Sequence, residues 1–178
     1  MGLSYNEDEL LKLLAIAIVN SPRSTIKELA EASGISKATL HRFCGTRGNL
    51  EVMLNKKAND VIDNILLVLD SEITDYREGL KQIILIHYEN KEFLRFMCGA
   101  TCDDGIENWS FYFKALDNFF LKGQKQGTFK IEISVSTLSE IFVALICGMI
   151  DGENRGRIAS AGAAELFENF FLYGAVNK

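Results

Sequence analysis

The stretch Ser24–Leu50, STIKELAEASGISKATLHRFCGTRGNL, has the grammar of two short helices joined by a tight turn. Thr25 followed by Glu28 is a capping box, in which each side chain satisfies a backbone N–H of the other residue at a helix start. Ile26, Leu29 and Ala30 form one apolar stripe. Gly34 stands where a helix ending near Ser33 needs a residue tolerant of positive φ. Ser36 is placed to cap a second helix, Lys37 to Phe43, so the turn is three to four residues long and contains glycine, as a helix-turn-helix requires.

In the second helix Leu40 is the inward anchor, which turns Ala38, Thr39, His41 and Arg42 outward, with Lys37 beside them at the N-terminal end. A small residue, a hydroxyl, an imidazole and two cations make a surface suited to the major groove. The first turn reaches base edges while cations and N-terminal N–H groups hold phosphates. The plainer alternative is a solvated face on a small helical subdomain.

The order Thr25, Leu29-Ala30, Gly34-Ile35-Ser36, Thr39-Leu40, Arg47 and Leu50, without gaps, resembles the N-terminal DNA-binding domain of tetracycline-repressor-type (TetR-like) transcriptional regulators. The resemblance implies that Thr25, Ser36, His41 and Arg47 hold phosphates, and that Lys37, Ala38, Thr39 and Arg42 lie nearest the bases. It also implies an all-α fold with a three-helix head, residues 1–52, and a helical effector-binding and dimerisation domain, residues 53–178. Departures from the pattern are specific. His41 replaces a usual tyrosine, Cys44 takes the place of a core phenylalanine with Phe43 one position earlier, and Gly45 and Gly48 loosen a turn that is normally stiffer. No basic arm precedes the first helix.

The 178-residue chain carries a net charge of -5, which at first argues against nucleic acid. Residues 1–57, however, hold 8 Lys+Arg against 6 Asp+Glu, a net of +2, and the remainder holds 11 against 18, a net of -7. A mildly basic head on an acidic body fits a protein that meets phosphates at one end. The N-terminus, MGLSYNEDELL, lacks a signal-peptide layout, and no run of about 18 apolar residues stands out as a membrane span, so a cytoplasmic protein is expected. The four cysteines, Cys44, Cys98, Cys102 and Cys147, are too sparse for a disulfide scaffold and are read as reduced.

Outside the quoted stretch the sequence predicts a succession of helices. The first, about residues 6–19, carries Leu10, Leu13, Leu14, Ala17 and Ile18 at helical spacing and stops at Ser21-Pro22. A long helix, about 49–69, presents Leu50, Met53 and Leu54 to the head, and Val61, Ile62, Ile65, Leu66 and Leu69 to the body. Further helices are expected at about 75–88, 91–100, 107–125, 136–150 and 161–174, with 128–135 as an extended connection. Leu138, Ile141, Phe142, Leu145 and Met149 on one late helix, and Phe167, Phe170 and Phe171 on the next, are candidates for a homodimer interface built as a four-helix bundle. In the middle of the chain Tyr88, Phe96, Met97, Trp109, Tyr112 and Phe113 are candidates for an effector pocket taking a largely apolar small molecule. For any one of them, plain core is the simpler reading.

Other chemistries find less support. Cys98 and Cys102 are four apart, but with only two histidines in the chain a closed zinc site lacks ligands. Asp103-Asp104 with Glu107 reads as a solvated loop and helix start. No G-x-S-x-G, Walker-type or G-x-G-x-x-G arrangement occurs, so neither enzymatic activity nor a cofactor is expected. The expected function is a ligand-responsive repressor that binds a pseudo-palindromic double-stranded DNA operator as a homodimer. The competing class is a helical adaptor, or a small-molecule or thiol sensor, that has lost DNA binding.

Overall fold

The computed structural model describes residues 6–100 and 109–175, and these residues are helical with short connections. In chain order the helices are α1 (Glu7–Asn20), α2 (Ile26–Ala32), α3 (Lys37–Cys44), α4 (Arg47–Asp70), α5 (Tyr76–Glu89), α6 (Lys91–Ala100), α7 (Ser110–Lys125), α8 (Val135–Asn154) and α9 (Ala163–Ala175). Cys102, the acidic run Asp103-Asp104 and Glu107 lie outside the described residues.

Local chemistry sets most helix starts. Asn6 accepts from the N–H of Asp8 at the head of α1, whose first turn holds Glu7, Asp8 and Glu9 against the positive end of the helix dipole. Asp75 accepts from the N–H groups of Arg77 and Glu78 before α5, and Ser134 accepts from that of Thr137 before α8. The long helix begins at Arg47 rather than near Asn49, because the Thr46 hydroxyl accepts from the N–H of Asn49 and so caps the helix two residues earlier. α8 continues past residue 150, its expected end, to Asn154. Its last turn is held by the Asp151–Arg155 ion pair and by Asn154 Nδ2 donating to the carbonyl of Ile150.

The helices form two compact units. The first consists of α1, α2, α3, α4 as far as Ile62, and α6 from the segment beginning at Asn90. Its core contains Leu14, Ala15, Leu29, Leu40, Leu50, Leu54 and Phe93, all fully buried. α1 packs on both α2 and α6. Leu13, expected on the buried stripe of α1, is exposed, because its place on the packed face is taken by Leu11 and Ala15.

The second unit contains the rest of α4, then α5, α7, α8 and α9. Its core is aromatic: Phe119, Phe120, Phe129, Phe142 and Phe167 are fully buried, with ring centroids 5.1 Å apart for Phe120 and Phe129 and 5.3 Å apart for Phe142 and Phe167. Such edge-on pairs add specific geometry to burial. Gly123 lets α7 approach this cluster, since a Cβ there would stand 2.4 Å from the Phe129 ring. The connection 128–134 is not extended throughout as expected: it turns at Ile131-Glu132, and the Gln124 side chain secures that turn by donating to the carbonyls of Lys130 and Ile133 at 2.7 and 2.6 Å.

α8 is long and apolar enough, by length and composition, to cross a membrane, with a mean hydropathy of 1.6 over its best window. In this fold it is a core helix of the second unit, packed against α7 and α9 and tied to α7 by the buried Ser139 hydroxyl donating to Asp117 at 2.6 Å.

Candidate nucleic-acid interface

The head is assembled by capping. In the box at α2, Glu28 accepts from the Thr25 N–H at 2.7 Å and from its hydroxyl at 2.9 Å, while Thr25 Oγ1 accepts from the Glu28 N–H. These bonds to the charged carboxylate hold the Glu28 pKa below its ordinary value. The turn that follows needs Gly34 at φ 69°, and the N–H of Ile35 closes it on the carbonyl of Ala30. Ser36 then caps α3: its Oγ accepts from the Thr39 N–H at 3.0 Å and lies 2.9 Å from the Thr39 hydroxyl.

α3 is anchored on one side only. Leu40 is fully buried, and one turn later Cys44 is buried with its thiol donating to the Leu40 carbonyl at 3.3 Å. Burial pushes the Cys44 thiol pKa up, so it behaves as a small apolar side chain. Phe43 is half-buried, which answers where its ring goes when cysteine takes the core position. The opposite side of α3 presents Lys37, Ala38, His41 and Arg42 to solvent, with Thr39 half-buried at the edge. Five of the sequence-predicted contact residues therefore share one outward surface over two helical turns, opening at the Ser36 cap.

Two other predicted contacts are engaged within the fold. Thr25 both donates to and accepts from Glu28 through its hydroxyl. Arg47 uses all three guanidinium nitrogens: Nε donates to Glu51 at 2.9 Å, and the two terminal nitrogens donate to the carbonyls of Ser24 and Pro22. The Arg47 fork thus fastens the turn before α2 to the start of α4. Gly45, at φ 75°, ends α3 and hands over to the Thr46 cap, so the glycine-rich turn is held by defined hydrogen bonds.

The second unit receives most of the remaining predictions. Tyr112 is buried, and its hydroxyl lies 2.7 Å from His87 Nε2, while His87 Nδ1 lies 2.6 Å from the carbonyl of Ile83. The carbonyl accepts only, so Nδ1 carries the proton and Nε2 accepts from the phenol. Complete burial lowers the His87 pKa to about 4. Trp109 and Phe113 stand edge-on to Tyr112 at 5.9 and 6.1 Å, and Tyr88 packs edge-on against Phe167. Phe96 and Met97 are buried on α6 and belong to the first unit, whereas the other four effector candidates belong to the second. Sequence reasoning misses His87 as part of this pair. Its signal is a lone histidine on the apolar stripe Leu80, Ile83, Ile84, His87.

The dimer candidates divide. Leu138, Phe142, Met149, Phe167 and Phe171 belong to the interior of their own unit, and Leu145 is half-buried. Ile141 and Phe170 are exposed, the latter at 69%, and Leu166 and Tyr173 join them on the outside. Helical periodicity locates an apolar arc without saying which part of it a neighbouring helix of the same chain already covers. Cys98 and Cys147 are exposed and outside any disulfide, and no metal-binding group of three His, Cys, Asp or Glu residues occurs among the described residues.

The fold is shared with known transcriptional regulators. The ketosteroid transcriptional regulator KstR2 of Mycobacterium tuberculosis superposes with a TM-score of 0.70 at 13% identity, covering 99% of this chain and 98% of that one. The TetR family transcriptional regulator PfmR of Thermus thermophilus gives 0.64 at 18% identity, covering 99% and 100%. No protein-family model matches the chain. In sequence, the HTH-type transcriptional regulator NfxB of Pseudomonas aeruginosa is 44% identical across 99% of this chain and 98% of its own length. The chain belongs to the HTH-type transcriptional regulators, with the fold of the TetR family regulator above. As an HTH-type regulator it is a transcriptional regulator, and α2 and α3 are its helix-turn-helix.

Proposed function

We propose that this TetR-like regulator represses transcription as a homodimer bound to an imperfect palindrome, and that a small molecule held in the second unit releases it. The observation that carries this reading is the outward face of α3, where Lys37, Ala38, Thr39, His41 and Arg42 stand together around a buried Leu40 anchor. Lys37, Ala38, Thr39 and Arg42 read base edges, and Ser36 and His41 hold phosphates beside them. Thr25 and Arg47 act at the same edge chiefly by positioning, because their polar atoms already hold the head together. With a head of net charge only +2, one subunit binds weakly, so affinity depends on pairing two heads.

The pairing surface is the outward side of α8 and α9, where Ile141, Leu166, Phe170 and Tyr173 are exposed. Two-fold symmetry then sets half-sites about 34–36 Å apart or at a related spacing. Effector and operator oppose each other by linkage, and a coupling of about 1–3 kcal/mol is enough to switch occupancy. The protein acts where the chromosome is, in the cytoplasm.

Selection of duplexes from a random pool by the purified full chain tests this. The expected product is a two-fold related motif whose affinity falls steeply with salt. Recovery of no motif, with binding absent even in dilute buffer, refutes it.

A further inference from the structure

We propose that His41 is a proton-binding site of the protein–operator complex: each head takes up a proton there as it closes on a phosphate, so acidification tightens operator binding. This rests on the reading that the outward face of α3 meets DNA, and adds a regulation of that same site.

His41 is exposed on α3, one turn after Lys37 and next to Arg42. Its ring makes no hydrogen bond, ion pair or ring contact among the described residues. Lys37 and Arg42 offer it like charge and no acceptor. The carboxylates of the neighbouring elements are committed elsewhere. On α2, which packs on α3, Glu28 accepts from Thr25 and Glu31 pairs with Lys27. On α4, which follows α3 across the Gly45-Thr46 turn, Glu51 pairs with Arg47. An imidazolium at His41 therefore has no counter-charge from these elements.

A duplex supplies one. Imidazole changes charge near neutrality, and a phosphate oxygen within hydrogen-bond reach favours the charged form both as acceptor and as anion. The proton comes from the buffer and binds the unprotonated ring nitrogen, and the N–H so formed donates to the phosphate. It returns to solvent when the head leaves. A phenol at this position would hold a phosphate without responding to pH in that range. The chain's other histidine cannot mimic the effect. His87 is completely buried, with its pKa lowered to about 4, and stays neutral from about pH 6 upward.

The test is the affinity of the full chain for its selected duplex at about pH 6 and about pH 7.5, at constant ionic strength. Titration calorimetry in two buffers of different ionisation heat counts the protons taken up. If a phosphate favours the charged ring about tenfold in each head, the two-headed complex should bind about tenfold more tightly at the lower pH, with net proton uptake. The salt dependence should be steeper there too. His41→Gln should remove both the uptake and the pH dependence. His41→Arg, permanently charged, should bind tightly at both pH values and take up no proton, which keeps the test decisive if the glutamine variant binds too weakly to measure. Wild-type binding without proton uptake, or a pH dependence that survives either substitution, overturns the proposal. A selected duplex bound equally at both pH values upholds the DNA reading and overturns the proton site, whereas no duplex bound at either pH sinks both.

Discussion

The pair formed by His87 and Tyr112 should make the second unit acid-sensitive. His87 is neutral in the fold, its pKa lowered from 6.5 to about 4 by burial, with the hydrogen bond to the Ile83 carbonyl only partly opposing the shift. An unfolded chain takes up a proton at His87 near the ordinary value, so below it the unfolded state binds more protons than the native one. The stabilisation is therefore complete above about 6.5 and is lost progressively as pH falls from there through about 4. Between about pH 7 and about pH 4.5 the loss is about 2 kcal/mol. Unfolding by urea, followed through Trp109, whose ring stands 5.9 Å from that of Tyr112, reads the relevant unit. The comparison is with the double variant His87→Phe/Tyr112→Phe, which removes donor and acceptor together and so avoids stranding either in the core. Wild type should lose about 2 kcal/mol more than the double variant over that interval, and Tyr112→Phe alone should cost about 1–3 kcal/mol at neutral pH. Parallel pH profiles for wild type and double variant would refute the assignment of a buried neutral histidine.

Arg42→Ala and Lys37→Ala should each cost about 1–3 kcal/mol of operator affinity and relax base preference at a different position, whereas His41→Ala should weaken all duplexes alike; selection from a random pool followed by affinity titration separates them. Arg47→Ala should lower the thermal midpoint of the free protein, because the fork joining Ser24, Pro22 and Glu51 is lost; an unchanged midpoint with a flatter salt slope would instead make Arg47 a phosphate contact. Gly123→Ala drives a methyl group into the Phe129 ring and should destabilise the second unit by about 1–3 kcal/mol in chemical denaturation. Phe170→Glu, on a side chain that is 69% exposed, should leave the fold intact and give a monomer in sedimentation velocity; an undissociated dimer would move the interface elsewhere.

The head is legible in the sequence because its determinants are local. A capping box, a glycine turn and a second cap, all between Thr25 and Ser36, specify α2 and α3 from their own backbone chemistry, and Leu40 alone settles which side of α3 faces inward. The earlier start of α4 also has a local signal, the Thr46 hydroxyl three residues before Asn49, which is easily taken for part of a loose turn between two glycines. Non-local packing is less accessible. Phe93, Phe96 and Met97 sit on an amphipathic α6 whose pattern is as suitable for lining a pocket as for covering α1, and nothing within that helix says that its partner lies far earlier in the chain.

Arg47 illustrates why even a correct motif leaves residue roles open. An arginine at the start of α4 offers the same donors to a phosphate as to backbone carbonyls, and sequence order cannot say which acceptors the fold brings within reach. Here the turn ending at Ser24 presents two carbonyls to those donors, so the side chain is committed before any duplex arrives. Lys37 and Arg42, by contrast, are exposed on the side of α3 opposite its buried anchor Leu40. Their charge is directed outward, and for that reason we place the specificity of this head on α3 rather than on the turn after it.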